Sequence, residues 1–223
     1  MIDRKKQWLL TAIAMVLCTS AAAGGPDKIS AVKPTGAGVY VQANVGYAAR
    51  GWSNTSGSPY TGAVITGQSR DEGGFAYGAD LGFQANHYFS FELGWFGLPQ
   101  VKSSVNPNFS AANGNVESWF AYGAVKGAFD VYTQTQLYGK VGAAYNENAA
   151  SSSVLAADGV GVTSKSNYWS PLFAVGAQYY FIPAVSISVQ YTFVSGYSGN
   201  AGDEFITPNI NIGTVSIGYK FMT

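Results

Sequence analysis

The amino-acid sequence predicts an all-β fold, an eight-stranded antiparallel up-and-down transmembrane β-barrel, and three observations carry that prediction. Apolar and polar residues alternate with period 2 over long runs, as half-buried strands require. Long and short connections alternate between those runs. The composition joins 28 Gly, 15 Tyr and 13 Phe to a charged fraction of only 11%, about half of what a soluble domain carries. The mean hydropathy of +0.07 is nevertheless too low for a helical membrane protein. Strands that show one face to lipid and the other to a polar interior produce this mixture.

The chain starts with a segment to be excluded from the fold. Arg4, Lys5 and Lys6 precede an apolar run from Trp8 to Cys18, and Ser20-Ala21-Ala22-Ala23 supplies small residues. This pattern is that of a secretory signal peptide, residues 1–23, with cleavage expected after Ala23. The run is too short for a transmembrane helix, and bulky Leu17 before Cys18 argues against lipidation. Cleavage removes the one cysteine, and with it thiol and disulfide chemistry. Loss of Asp3, Arg4, Lys5 and Lys6 takes the 12 basic and 12 acidic residues to nine and eleven. That balance offers no basic footprint for nucleic acid. Residues 24–37, containing Pro and Gly, read as a periplasmic N-terminal segment, and 38–223 as the barrel domain.

In the first strand Val39, Val41, Ala43, Val45 and Tyr47 share a face opposite Gln42, Asn44 and Gly46. The second sets Phe75, Tyr77, Ala79, Leu81 and Phe83 against Ala76, Gly78, Asp80, Gly82 and Gln84. The third sets Phe89, Phe91, Leu93 and Trp95 against Ser90, Glu92, Gly94 and Phe96. The fourth, about Glu117 to Ala128, is ambiguous in phase, because the face with Trp119, Ala121, Gly123 and Val125 suits either side. Leu137, Val141, Ala143 and Tyr145 oppose Tyr138, Lys140, Gly142 and Ala144 in the fifth. Phe173, Val175, Ala177, Tyr179 and Phe181 oppose Leu172, Ala174, Gly176, Gln178 and Tyr180 in the sixth. The seventh is the cleanest, with Val185, Ile187, Val189, Tyr191 and Phe193 against Ser186, Ser188, Gln190 and Thr192. The eighth pairs Val215, Ile217, Tyr219 and Phe221 with Thr214, Ser216, Gly218 and Lys220.

Short turns are expected at Asn86-His87, near Asp130 to Thr133, and at Ile182-Pro183-Ala184. Long polar connections are expected at Ala49 to Glu72, Leu98 to Val116, Asn146 to Asn167 and Ser195 to Pro208. Short periplasmic turns, long extracellular loops and an even strand number are the habit of outer-membrane barrels. The expected location is therefore the outer membrane of a Gram-negative bacterium, with both termini periplasmic. Aromatic residues give an independent check. Trp95, Trp119 and Trp169 fall at the loop ends of strands, and Tyr40, Phe83, Tyr88, Phe129, Phe181 and Phe221 near the opposite ends. Two such girdles suit the membrane interfaces.

Three stretches resemble the OmpA-like outer-membrane β-barrel family. They are Gly82-Phe83-Gln84 through Tyr88-Phe89-Ser90-Phe91-Glu92-Leu93-Gly94, then Leu137-Tyr138-Gly139-Lys140-Val141-Gly142, and Val215-Ser216-Ile217-Gly218-Tyr219-Lys220-Phe221. The resemblance spans Gly38 to Phe221. It implies insertion by the outer-membrane assembly machinery, which reads an aromatic C-terminal strand, here Tyr219 and Phe221. Met222 and Thr223 follow the usual terminal aromatic, and Ser216 stands where the signal often has Gly. The periplasmic peptidoglycan-binding domain of full-length relatives is not expected after the last strand, so the resemblance brings no expectation of cell-wall tethering.

Asp80, Glu92, Lys140 and, in the family's phase, Lys126 fall on the polar faces at similar heights. Charges inside a small barrel must pair. They form either a static network or a salt-bridge gate for small ions, and the static network is favoured because eight strands leave no open channel. His87, the one histidine, sits in a turn, which leaves no general base for catalysis at the loops. No cofactor or transition-metal site is expected. Asp71-Glu72, Asp158 and Asp203-Glu204 lack Ca²⁺-ligand spacing.

Recognition is expected to lie in the loops, as binding residues concentrate on segments held by a rigid scaffold. The first loop carries Arg50, Trp52, Tyr60, Arg70 and Asp71. Expected partners are outer-membrane lipid, lipopolysaccharide, the assembly machinery and a host-surface or phage ligand. The function read from the sequence is a non-catalytic surface barrel serving envelope integrity and adhesion. A narrow, low-conductance pore is the alternative.

Overall fold

The computed structural model describes residues 36–50, 73–104, 113–153, 162–196 and 209–221. The expected signal peptide, nearly all of the segment at 24–37, and the loop residues Trp52, Tyr60, Arg70, Asp71, Glu72, Asp158, Asp203 and Glu204 lie outside the described residues. The strands are β1 (Gly38–Arg50), β2 (Gly73–Gln84), β3 (Phe89–Gly97), β4 (Val101–Ser104), β5 (Asn113–Tyr132), β6 (Thr135–Ser153), β7 (Val162–Ile182), β8 (Val185–Val194) and β9 (Ile210–Lys220).

Every pairing is antiparallel, and each strand lies beside its chain neighbour except β3 and β4. β3 and the short β4 both pair with β5, so together they form a single barrel strand interrupted at Leu98–Gln100. Pairing of β1 with β9, from Tyr40↔Lys220 to Arg50↔Ile210, joins the two ends of the sheet. The result is a closed eight-stranded antiparallel barrel. Closure gives every barrel strand a hydrogen-bonded neighbour on both sides, which is what lets a sheet cross hydrocarbon.

Sidedness is inverted relative to a soluble protein. Val45, Phe75, Leu81, Phe91, Leu93, Val141, Phe173, Val175 and Ile217 are exposed on the outside, while Gln42, Asp80, Glu92, Lys126, Lys140 and Gln178 are buried inside. Two-residue periodicity alone creates both surfaces. Turns connect β2 to β3, β5 to β6 and β7 to β8 at the turn end of the barrel, and the strand ends that flank residues 51–72, 105–112, 154–161 and 197–208 lie at the opposite, loop end. Asn86 shapes the first turn by accepting hydrogen bonds from the Tyr88 and Phe89 amides at 2.8 and 2.9 Å.

The structure decides three points that the sequence left open or placed differently. In β5 the face with Trp119, Ala121, Gly123 and Val125 points outward, because Ser118, Phe120, Tyr122, Ala124 and Lys126 are buried within. Tyr40 does not join a girdle. It points into the lumen, in phase with Gln42, and is buried. The strands also reach further than expected, with β4 and the outer parts of β5, β6 and β7 occupying stretches read as loop. Asn146 to Ser152 pairs with Val162 to Tyr168 in continuous register. Such a segment is polar on both faces, so it carries no period-2 signal, and its strand character comes from the neighbours' hydrogen bonds.

Candidate functional site

Three strands bring one carboxylate and two ammonium groups together at mid-barrel. Register sets the heights: Glu92 on β3 lies across from Ala124 on β5, and Lys126 lies across from Lys140 on β6. Lys140 Nζ forms an ion pair with Glu92 Oε2, both side chains being almost wholly shielded from solvent. Lys126 Nζ lies 3.5 Å from Glu92 Oε1. The Tyr40 hydroxyl, from β1, donates to the same Oε1 at 2.5 Å. Lys126 also donates to Gln178 Oε1 at 2.9 Å and stands 4.3 Å from the centre of the Tyr138 ring. The aromatic face gives the ammonium a second site of favourable potential.

Asp80, predicted as a member of this network, is held by neutral donors instead. Asn44 Nδ2 donates to Oδ2 at 2.8 Å, and the Tyr122 hydroxyl donates to Oδ1 at 2.9 Å. The two arrangements stack within the lumen, since Asp80 pairs across with Gly94 and Glu92 with Gly82. Glycine at 94 is needed for close approach: a β-carbon there would overlap the Tyr122 ring and Asp80 Oδ1. Leaving a charge of this kind buried without its partner costs several kcal/mol, about 3–5 in measured cases. The cluster therefore holds one arrangement of the inward side chains.

Tyr40, Tyr138, Tyr122 and Gln178 complete these contacts, and the sequence reading did not single them out. The inward phase of Tyr138 and Gln178 was legible, whereas Tyr122 lay on the strand of open phase and Tyr40 was read as a girdle residue; which of them meet across the lumen depends on barrel closure. Towards the turn end, Gln84, Gln136, Gln178, Ser186, Lys126 and Lys220 line a polar cavity of about 20 Å³, enough for about one water molecule. Lys220 Nζ donates to Gln84 Oε1 at 2.8 Å and to the Gly36 carbonyl at 2.6 Å. At the same end His87 Nε2 and Asp130 Oδ2 lie 2.6 Å apart, joining two turns.

Trp95 and Trp169 are exposed on the outer face toward the loop end, and Phe181 is exposed toward the turn end. Trp119 and Tyr145 have ring centres 6.1 Å apart, and Tyr145 and Trp169 5.4 Å. Tyr219 and Phe221 are likewise exposed outside and pack edge to face at 5.2 Å. The Phe221 amide donates to the Val39 carbonyl at 2.9 Å, carrying the closing seam past the end of β9. Among the described residues, no group of three or more His, Cys, Asp or Glu is placed to hold a metal ion.

Comparison with known proteins agrees with this architecture. The model of the OmpA-like transmembrane domain matches residues 35–223. No curated protein matches the chain in sequence. Among solved structures, the chain is similar to the outer membrane protein OprG from Pseudomonas aeruginosa, with 14% identity, a TM-score of 0.54, and coverage of 86% of this chain and 99% of that one. It is also similar to Neisserial surface protein A, with 20% identity, a TM-score of 0.51, and coverage of 83% and 99%. The attachment invasion locus protein Ail of Yersinia pestis, solved with the heparin analogue sucrose octasulfate, matches at 13% identity, a TM-score of 0.46, and coverage of 82% and 99%. At these identities the structural likeness speaks for the fold alone. With most of its length matched by the family model and a closed barrel of inverted sidedness, the chain belongs to the OmpA-like transmembrane domain family of outer-membrane β-barrels.

Proposed function

We propose that this chain is a non-catalytic surface barrel that supports envelope integrity and presents its loop end for contact outside the cell, with both termini in the periplasm. The observation that supports this most is the asymmetry between the two ends. β5, β6 and β7 run for 20, 19 and 21 residues, against nine to thirteen for β1, β2, β3, β8 and β9. Most of the extra length is at the loop end, where Asn113 to Ser118 pairs with Asn148 to Ser153. Backbone pairing makes this rim rigid, and its Asn, Ser and Gly content suits contact with water and polar ligands. Binding segments gain precision when held by such a scaffold. Lipopolysaccharide and a host-surface or phage ligand are the proposed partners, and the assembly machinery is proposed to read Tyr219 and Phe221.

Deletion of Ser53 to Ser69, measured as host-cell adhesion and as SDS sensitivity of the producing strain, tests the reading. Lower adhesion with an intact barrel is expected from the loop deletion, and higher SDS sensitivity from loss of the whole protein. If both strains match the parent on both counts, the reading is lost. A second reading, a narrow low-conductance pore, is favoured by one observation: Glu92 is shared between two lysines, so either can release it.

A further inference from the structure

The lumen changes character just above Asp80. One inward position further toward the loop end, Phe96 follows Gly94, Phe120 precedes Tyr122, Leu172 precedes Ala174 and Ile212 precedes Thr214. Phe96, Phe120, Leu172, Val194 and Ile212 have no exposure at all, and they form one apolar cluster with Ala48, Ala76, Ala144 and Ile210. The Phe96 and Phe120 rings stack 5.3 Å apart. Phe96 in turn lies against Gly78, where a β-carbon would overlap its ring. Register places these residues around the whole circumference: Phe96↔Phe120, Leu172↔Val194, Val194↔Ile210 and Ile212↔Ala48. Polar side chains at the edge of this layer bond mainly to one another, and Asn146 Oδ1 is left without a partner. Asn146 donates to Ser170 Oγ at 2.8 Å, and Gln190 donates to Thr192 Oγ1 at 2.7 Å.

From this arrangement we infer that the barrel is sealed by the apolar layer of Phe96, Phe120, Leu172, Val194 and Ile212, not by the ion cluster beneath it. A hydrated ion crossing the lumen exchanges water for protein ligands where polar groups line its path. The Glu92–Lys140 level has such groups and the apolar layer has none to spare, so it excludes ions by staying dry, as hydrophobic constrictions do. The ion cluster and the polar cavity of about 20 Å³ lie on the turn-end side of this seal. Rearranging Glu92 between its two lysines leaves this seal in place, which separates the inference from the second reading above. It is also independent of the surface role, because it concerns the purified barrel.

Planar-bilayer conductance of refolded protein tests it, with folding checked by the shift between boiled and unboiled samples on SDS gels. Leu172→Asn keeps the number of side-chain heavy atoms and Ile212→Thr removes one, while both add polar atoms. This double variant is expected to conduct at least tenfold above the parent. Glu92→Gln with Lys140→Gln is expected to stay at the parent level. If the layer pair fails to fold, Ile212→Thr alone preserves the branched shape and is expected to rise measurably. A folded layer variant that stays at the parent level overturns the inference, as does a cluster variant that conducts as freely as the layer variant.

Discussion

Tyr40 reaches across Gly82 to Glu92: its ring lies over the glycine, and its hydroxyl donates to Glu92 Oε1 at 2.5 Å. The register makes this contact possible, because Gly82 is the cross-strand partner of both Tyr40 on β1 and Glu92 on β3. An aromatic side chain thereby spans an entire strand and ties the ion cluster to the seam that closes the barrel.

Gly82→Ala is expected to displace the Tyr40 ring and break its bond to Glu92. Overpacking of this type costs about 1–3 kcal/mol. Gly127 makes the control, since a β-carbon there meets nothing within 4 Å. Gly127→Ala is expected to be neutral or stabilising by about 0.4–1 kcal/mol through the unfolded state. Urea midpoints of the two variants refolded in detergent check the contrast.

Glu92 is the carboxylate shared by Lys126 and Lys140. Glu92→Gln removes the counter-charge of both and is expected to lose about 3–5 kcal/mol. Lys140→Met leaves Lys126 beside Glu92 and is expected to lose less. In the Glu92→Gln/Lys140→Met pair the loss is expected to fall short of the sum of the single changes, because one lone buried ammonium, Lys126, remains in place of two. A double-mutant cycle by urea unfolding reads this coupling directly.

Val125 faces outward on β5, whose phase the sequence left open. Arginine at a lipid-facing position near the bilayer midplane costs about 2–4 kcal/mol. Val125→Arg is therefore expected to lower stability in lipid vesicles by that amount. The same substitution at exposed Tyr132, beside the turn, is expected to cost less than about 1 kcal/mol.

Phe221 packs on Tyr219 at the outer end of the closing seam. If the pair serves as the assembly signal, Phe221→Ala lowers the folded fraction recovered from outer membranes several-fold. Refolding of the same variant from urea into detergent is expected to stay near the parent, since its side chain is half exposed and contributes little packing. Equal losses in both measurements would assign Phe221 to stability instead.

The order of the barrel strands, the short turns and the inward phase of Glu92 and Lys140 were all legible in the sequence. Each depends on local properties: alternation along one strand, as in β8, or a break such as Ile182-Pro183-Ala184. The phase of β5 was not legible, because Phe120 and Tyr122 on one face are as apolar as Trp119 and Val125 on the other. Burial by the opposing wall settled it. The outer lengths of β6 and β7 were hidden for a related reason, since polar residues on both faces leave no period to detect.

What the sequence determined by itself is the two-sided strand and the barrel it builds, because every residue's face follows from its parity along its own strand. What the tertiary structure decided is which inward residues meet. Tyr40 with Glu92, Asn44 and Tyr122 with Asp80, and Phe96 with Phe120 are contacts between strands. They depend on the register of each pair and on closure of β1 against β9, which add heights around the whole circumference and which no single strand encodes.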